Sequence, residues 1–182
     1  MRLFIAIPIP QNIKDYLCDI QMQFKKCDLF AKWVNPQNVH MTLKFLGEVK
    51  EEKIQSIENV IKETIVDFSA LEVNLKEFGF FPNERNPRVF FISTDKEEIL
   101  QKLSYILEEK IEPLGFEREY RFKSHITIAR LKNRKNIDCL VRKTKQITPD
   151  KSFPVDSIIL YKSTLARTGP IYEEIFKSSL KV

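Results

Sequence analysis

The chain has 182 residues, 43% hydrophobic and 30% charged, which suits one globular domain (1–182) and excludes a disordered or fibrous chain. No apolar run approaches the ~20 residues that cross a bilayer, and no small-residue cleavage site follows Leu3–Ile9, so the expectation is a non-membrane protein whose N-terminus opens directly on a strand. The net charge is a modest +5, and the three cysteines, Cys18, Cys27 and Cys139, fit neither a disulfide framework nor a zinc pattern by number and spacing, so a reducing, cytoplasmic setting is expected.

Taken in chain order, Arg2–Ile7 is a compact apolar run closed by Pro8, hence a buried strand. Ile13, Leu17, Ile20 and Phe24 have the spacing of an amphipathic helix running from Gln11 to about Cys27. A loop at Trp33–Pro36, with Trp33 capping the lobe, leads into an alternating strand, Val39–Phe45, ended by Gly47. Ile54, Ile57, Ile61 and Ile65 mark a second helix, and Leu71–Phe78 is another alternating strand. Gly79–Pro87, with its Gly, Pro and Asn, reads as loop. The same order then recurs. Arg88–Ser93 aligns with Arg2–Ile7 at an offset of 86, Ile99, Leu103 and Ile106 mark a helix stopping before Pro113–Gly115, and Ser124–Ala129 matches Val39–Lys44. Asn136–Lys145 is a short basic counterpart of the second helix, and Asp156–Lys162 is a closing strand.

This repeat implies an α+β fold of two pseudo-symmetric β-α-β-β lobes, roughly 1–80 and 87–165, with the C-terminal segment packing back. Mostly antiparallel sheets would face a central cleft with helices outside.

The chain has only two histidines, and both open an H-x-T-x strand: His40-Met41-Thr42-Leu43 and, 85 residues later, His125-Ile126-Thr127-Ile128. Alternation puts His40, Thr42 and Lys44 on one face and Met41, Leu43 and Phe45 on the other; His125 and Thr127 likewise share a face. Symmetry would then bring two imidazoles and two hydroxyls together. Imidazole exchanges a proton near neutral pH, so two of them can take a proton from water and give one to a leaving oxygen. The hydroxyls can donate to phosphate oxygens between them. No third histidine and no carboxylate beside either motif completes a metal set, so neither metal nor cofactor is expected. From Arg118 to Lys145 ten Lys or Arg face only Glu119 and Asp138, a strip suited to a polyanion or, equally, to a solvated surface. Phe4, Phe45, Phe90 and Tyr172 are the aromatics considered for stacking a base.

With RLFIAIPIP, HMTLKFLGEV, PRVFF, FKSHITIAR and the closing Ser163, Leu165, Gly169, Pro170 and Tyr172, the chain resembles the two-histidine phosphoesterases, and among them the RNA 2′,3′-cyclic phosphodiesterases, also called 2′-5′ RNA ligases. The resemblance implies a bilobal fold and metal-independent opening of a 2′,3′-cyclic phosphate to a 2′-phosphomonoester. It implies His40 as proton donor, His125 as proton acceptor, and Thr42, Thr127 and Arg130 as substrate-binding residues. Arg130 shares the parity of Ile126 and Ile128, so it reaches the cleft only if the strand ends or bulges near Ala129. Ser124 stands where the family often has Pro before the second histidine. The implied partner is RNA with a cyclic-phosphate end, or a small cyclic nucleotide; separately, nothing in the sequence demands a partner chain, so a monomer is expected. Ligation through a 2′-5′ bond, or RNA-end binding without turnover, are the alternatives.

Overall fold

The computed structural model describes residues 1–182. Nine strands and four helices follow in the order β1 (Arg2–Pro8), α1 (Gln11–Lys25), β2 (Ala31–Trp33), β3 (His40–Glu48), α2 (Ile54–Ile65), β4 (Leu71–Phe81), β5 (Val89–Thr94), α3 (Glu97–Ile111), β6 (His125–Leu131), α4 (Ile137–Thr144), β7 (Ser152–Val155), β8 (Ser157–Ala166) and β9 (Gly169–Ser179). Every pairing between these strands is antiparallel. No helix is long and apolar enough to cross a membrane.

The helices form where the apolar spacing demands them. Ile13, Leu17, Ile20, Gln21 and Phe24 are the buried face of α1, and Leu100, Leu103, Leu107 and Ile111 that of α3. Glu97 and Glu98 open α3 at the end where the helix dipole favours negative charge. A single cluster of 38 buried hydrophobic residues draws on both sheets and all four helices.

One sheet has the order β3-β1-β8-β9 and the other β2-β6-β5-β4-β7. The two correspond strand for strand, β3-β1-β8 against β6-β5-β4. Yet neither sheet comes from one contiguous half of the chain. β4 pairs with β5 in the sheet that carries His125, and β8 pairs with β1 in the sheet that carries His40. The strand pairing therefore cuts across the halves 1–80 and 87–165, because each half contributes its last repeated strand to the other sheet.

The register makes the repeat quantitative. Pro8 pairs with His40, Ile7 with Met41 and Ala6 with Thr42; then Leu43 is skipped and Ile5 pairs with Lys44. At a constant offset of 85, Ser93 pairs with His125, Ile92 with Ile126 and Phe91 with Thr127; Ile128 is skipped and Phe90 pairs with Ala129. Both strands thus carry a one-residue bulge at the same place. Aligned by pairing, β1 and β5 are 85 apart, one less than apolar matching alone suggests.

Three strands go beyond the periodic pattern of the sequence. β2 is only three residues long, within and before the expected Trp33 loop. β7 contains Pro154. β9 forms a hairpin with β8 through Arg167 and Thr168, and Gly169 there has φ of 127°, a conformation that L side chains rarely adopt. Strand β3 also continues through Gly47 to Glu48, and β4 runs past Gly79 to Phe81.

Cys27 and Cys139 form a disulfide with Cα atoms 5.7 Å apart, whereas Cys18 is free and exposed. The expectation of no disulfide is corrected: folding brings the end of α1 against α4, a proximity that a separation of 112 residues conceals. The cysteine-based argument for a reducing compartment loses its premise.

Candidate active site

The matched bulges decide which side chains reach the cleft. In both H-x-T-x strands the exposure runs half-buried, buried, half-buried, buried, buried, exposed, buried over seven residues. His and Thr point one way, the bulge then shifts the phase, and the sixth residue returns to the cleft side. That residue is Phe45 in β3 and Arg130 in β6. Arg130 therefore lines the cleft, as the bulge condition requires. Lys44 does not share the face of His40 and Thr42, as simple alternation suggests. It is 3% exposed and paired with Glu108 at 2.9 Å.

A cleft of about 660 Å³ lies between the two sheets, and His40, Thr42, His125, Thr127 and Arg130 all border it. The structure thus brings every sequence-expected site residue together. Each imidazole is held in the same way. His40 Nδ1 lies 2.8 Å from the Asn38 carbonyl, and His125 Nδ1 lies 2.7 Å from the Lys123 carbonyl. A carbonyl only accepts, so Nδ1 carries the proton and Nε2 is the nitrogen left for chemistry in the neutral ring. Aromatic rings fix the planes: Phe4 and Tyr172 lie 4.7 and 5.3 Å from the His40 ring, and Phe81 and Phe91 lie 4.9 and 5.4 Å from that of His125.

Burial pushes His40 down from 6.5 to about 4, with the bond to the Asn38 carbonyl opposing and the His125, Arg130 and Lys14 charges adding to the shift. His125 is also held below its ordinary value, chiefly by burial, while the Lys123 carbonyl and Glu97 act upward. Both rings therefore resist positive charge. An anion that enters the cleft reverses part of that cost.

Ser124 has its own bonding. It is fully buried; its Oγ donates to Glu97 Oε2 at 2.6 Å, and its N–H donates to the same carboxylate at 3.1 and 3.2 Å. A proline here would lack that N–H. The start of α3 thereby anchors the backbone next to His125.

Further residues line the cleft beside the expected site set. Gly169, Pro170, Ile171 and Tyr172 reach the cleft on the β8–β9 hairpin, tied down by Asn38 Nδ2 donating to the Pro170 carbonyl at 2.7 Å. Lys32 and Trp33 reach it on β2. Trp33 is a strand residue bordering the cleft rather than a loop cap. Of the aromatics considered for stacking, Phe45 and Tyr172 border the cleft, whereas Phe4 is 4% exposed behind His40 and Phe90 is wholly buried. The sequence signal for the hairpin is the closing Ser163, Leu165, Gly169, Pro170 and Tyr172. No group of three or more His, Cys, Asp or Glu side chains that could hold a metal ion is present.

The LigT-like phosphoesterase model matches twice, over residues 7–91 and 92–172, one match to each repeat. A Methanocaldococcus jannaschii protein named RNA 2′,3′-cyclic phosphodiesterase is 39% identical over 178 residues, covering 96% of this chain and 98% of its own. A Thermotoga maritima protein of the same name is 35% identical, covering 97% and 94%. Among solved structures, a Thermus thermophilus protein superposes with a TM-score of 0.81 at 29% identity, covering 100% of this chain and 98% of that one. The Escherichia coli LigT complex with 3′-AMP has the same fold, with a TM-score of 0.78 at 24% identity and coverage of 98% and 97%.

Proposed function

This chain belongs to the LigT-like phosphoesterase family, and on that premise we propose that it hydrolyses 2′,3′-cyclic phosphates at RNA ends to 2′-phosphomonoesters, using His40 and His125 and no metal ion. One observation carries the reading. The two histidines occupy matched register positions on one cleft, each with Nδ1 bound to the carbonyl two residues back and Nε2 left free.

In this mechanism the cyclic phosphate sits between the histidines. Thr42 and Thr127 donate hydrogen bonds to its non-bridging oxygens, and Arg130 balances their charge. His125 Nε2 takes a proton from water as its oxygen forms the new bond to phosphorus. The bond from phosphorus to the ribose 3′-oxygen breaks, and His40 Nε2 delivers the proton that this oxygen needs. The phosphate stays on the 2′-oxygen. His40 must enter the step protonated, and the substrate anion supplies the reason it can be, by restoring the charged form that burial suppresses. The two proton transfers contribute roughly 10²–10⁴-fold each. We read residues 1–182 as one bilobal domain acting as a monomer, and place it in the cytoplasm because its substrate is RNA rather than because of its cysteines.

The test is turnover of an RNA ending in a 2′,3′-cyclic phosphate with EDTA present, followed by mapping of the product phosphate. A 2′-phosphomonoester from wild type, and none from His40→Ala or His125→Ala, is expected. Loss of activity on chelation, or activity surviving either alanine, overturns the reading. Binding without turnover would mean an RNA-end binding module, and joined ends would mean the reverse reaction.

A further inference from the structure

The two sheets that form the cleft differ at the edge beside the H-x-T-x strands. Nothing pairs with the outer edge of β3, whereas the outer edge of its counterpart β6 carries β2. The added strand delivers two residues to the cleft, Lys32 and Trp33. We infer that Lys32 and Trp33 form a subsite for the nucleotide preceding the cyclic-phosphate end, so that the substrate is an RNA strand rather than a cyclic mononucleotide. This rests on the phosphodiesterase reading and extends it.

The charge pattern is the first argument. Lys32 lies directly opposite Arg130 in the antiparallel ladder, so the two side chains leave the sheet on the same side. Both are exposed, both border the cleft, and neither is in an ion pair with a carboxylate. Like charges facing each other across a ladder are destabilising unless an anion lies over them. The reacting phosphate accounts for Arg130. A cyclic mononucleotide has no second phosphate for Lys32, but a strand has one, a single nucleotide upstream. Lys132, exposed and separated from Arg130 by buried Leu131, continues the same side outward. Between Lys25 and Trp33 the only acid is Asp28, and it is already paired with Lys135 at 2.8 Å.

Trp33 is the second argument. It is half-buried, borders the cleft, and carries the Lys25 ammonium 5.7 Å from its ring centroid. The segment is rigid. Val34 N–H donates to the Ile128 carbonyl at 2.9 Å, and buried Gln21 Nε2 donates to the carbonyls of Val34 at 2.7 Å and Ile128 at 3.2 Å. A fixed indole beside a cation is a platform for a nucleobase, and stacking there tolerates any base.

Trp33 is the only tryptophan in the chain, so fluorescence excited to the red of tyrosine absorption reports on it alone. Wild type is titrated with a nucleoside 2′-monophosphate and with a short oligoribonucleotide ending in the same nucleoside and a 2′-phosphate. Quenching by the oligonucleotide alone is expected, with its midpoint weakened by Lys32→Glu. In turnover, Lys32→Ala and Trp33→Ala should raise KM for a cyclic-phosphate oligonucleotide about tenfold more than KM for the matching 2′,3′-cyclic mononucleotide. Lys32→Ala should also reduce the slope of log KM against log salt by about 0.7 for the oligonucleotide. Trp33→Phe, which keeps a stacking face, should recover most of the loss. Turnover of both substrates with no preference for the strand, or variants that weaken both equally, overturns the subsite and leaves the phosphodiesterase reading standing. A wild type inert towards both overturns the two together.

Discussion

Lys44 Nζ lies 2.9 Å from the Glu108 carboxylate, and neither side chain is more than 3% exposed. The pair exists because the bulge at Leu43 turns Lys44 inward, where its ammonium also donates to the Glu117 carbonyl and Glu108 accepts the Glu119 N–H at 3.1 Å. Together these bonds fasten the irregular stretch that leads to His125. Lys44→Met strands a buried carboxylate and should destabilise the fold by about 3–5 kcal/mol. Adding Glu108→Leu should restore most of that loss. Urea denaturation of both variants measures it, and a single-variant cost below about 1 kcal/mol would show that the pair is not sealed from water.

Acid should weaken the fold through His40. Its folded value of about 4 lies below the unfolded 6.5, so the unfolded chain takes up the proton first as pH falls. This contribution is fully present above pH 6.5 and erodes down to pH 4. The loss at pH 5 is roughly 2 kcal/mol by that linkage. Denaturation at about pH 7.5 and about pH 5 should show His40→Gln losing less stability than wild type over this interval. Equal losses would mean that His40 does not resist protonation.

The same shift predicts proton uptake on binding. A nucleoside 2′-monophosphate entering near pH 6.5 should raise both histidines, so the protein takes protons from the buffer. Calorimetry in two buffers of different ionisation enthalpy reads the number directly. An apparent enthalpy independent of the buffer would contradict it.

Gly79 should be intolerant of a side chain. A Cβ there would lie 2.5 Å from the edge of the Phe91 ring, which stacks on Phe81 at 4.2 Å and touches His125. Gly79→Ala should therefore displace the ring and lower kcat roughly tenfold to a hundredfold with little change in KM. The smaller ring-site variant Phe91→Leu, combined with Gly79→Ala, should fold as well as wild type. Unchanged kcat in Gly79→Ala would remove Phe91 as a support of His125.

Reduction of Cys27–Cys139 should lower stability. The bridge spans 112 residues, and closing a loop of that size in the unfolded chain stabilises by up to about 4–5 kcal/mol. Thermal melts of wild type with reductant and of Cys27→Ser/Cys139→Ser should agree, both below wild type without reductant. A reductant-insensitive midpoint would mean that the thiols are not bridged in solution.

The grouping of the candidate site was legible because its geometry is local: His and Thr two residues apart on a strand share a face whatever the rest of the chain does. The phase slip at Leu43 and Ile128 was not legible. Alternation carries no mark of a bulge, so Lys44 read as a cleft residue although its partner Glu108 lies 64 positions away. Pairing partners were hidden for a similar reason. Leu71–Phe81 looks the same whichever sheet it joins, since an antiparallel strand needs only a free edge. β2 is too short to show a period, and β9 is half exposed along most of its length, so neither has an apolar stripe to betray it.

The exchange of β4 and β8 bears on how such a chain can originate. A half-length protein of this design could complete its sheet with its own last strand or, by exchanging that strand as this chain does, with the strand of a second copy. Two identical copies would enclose one cleft on their twofold axis, with two equivalent histidines told apart only by which held the proton. Joining the copies end to end frees each to diverge. Phe45 against Arg130, and β2 on one edge alone, are positions where the two halves of this chain differ, so its cleft is not symmetric.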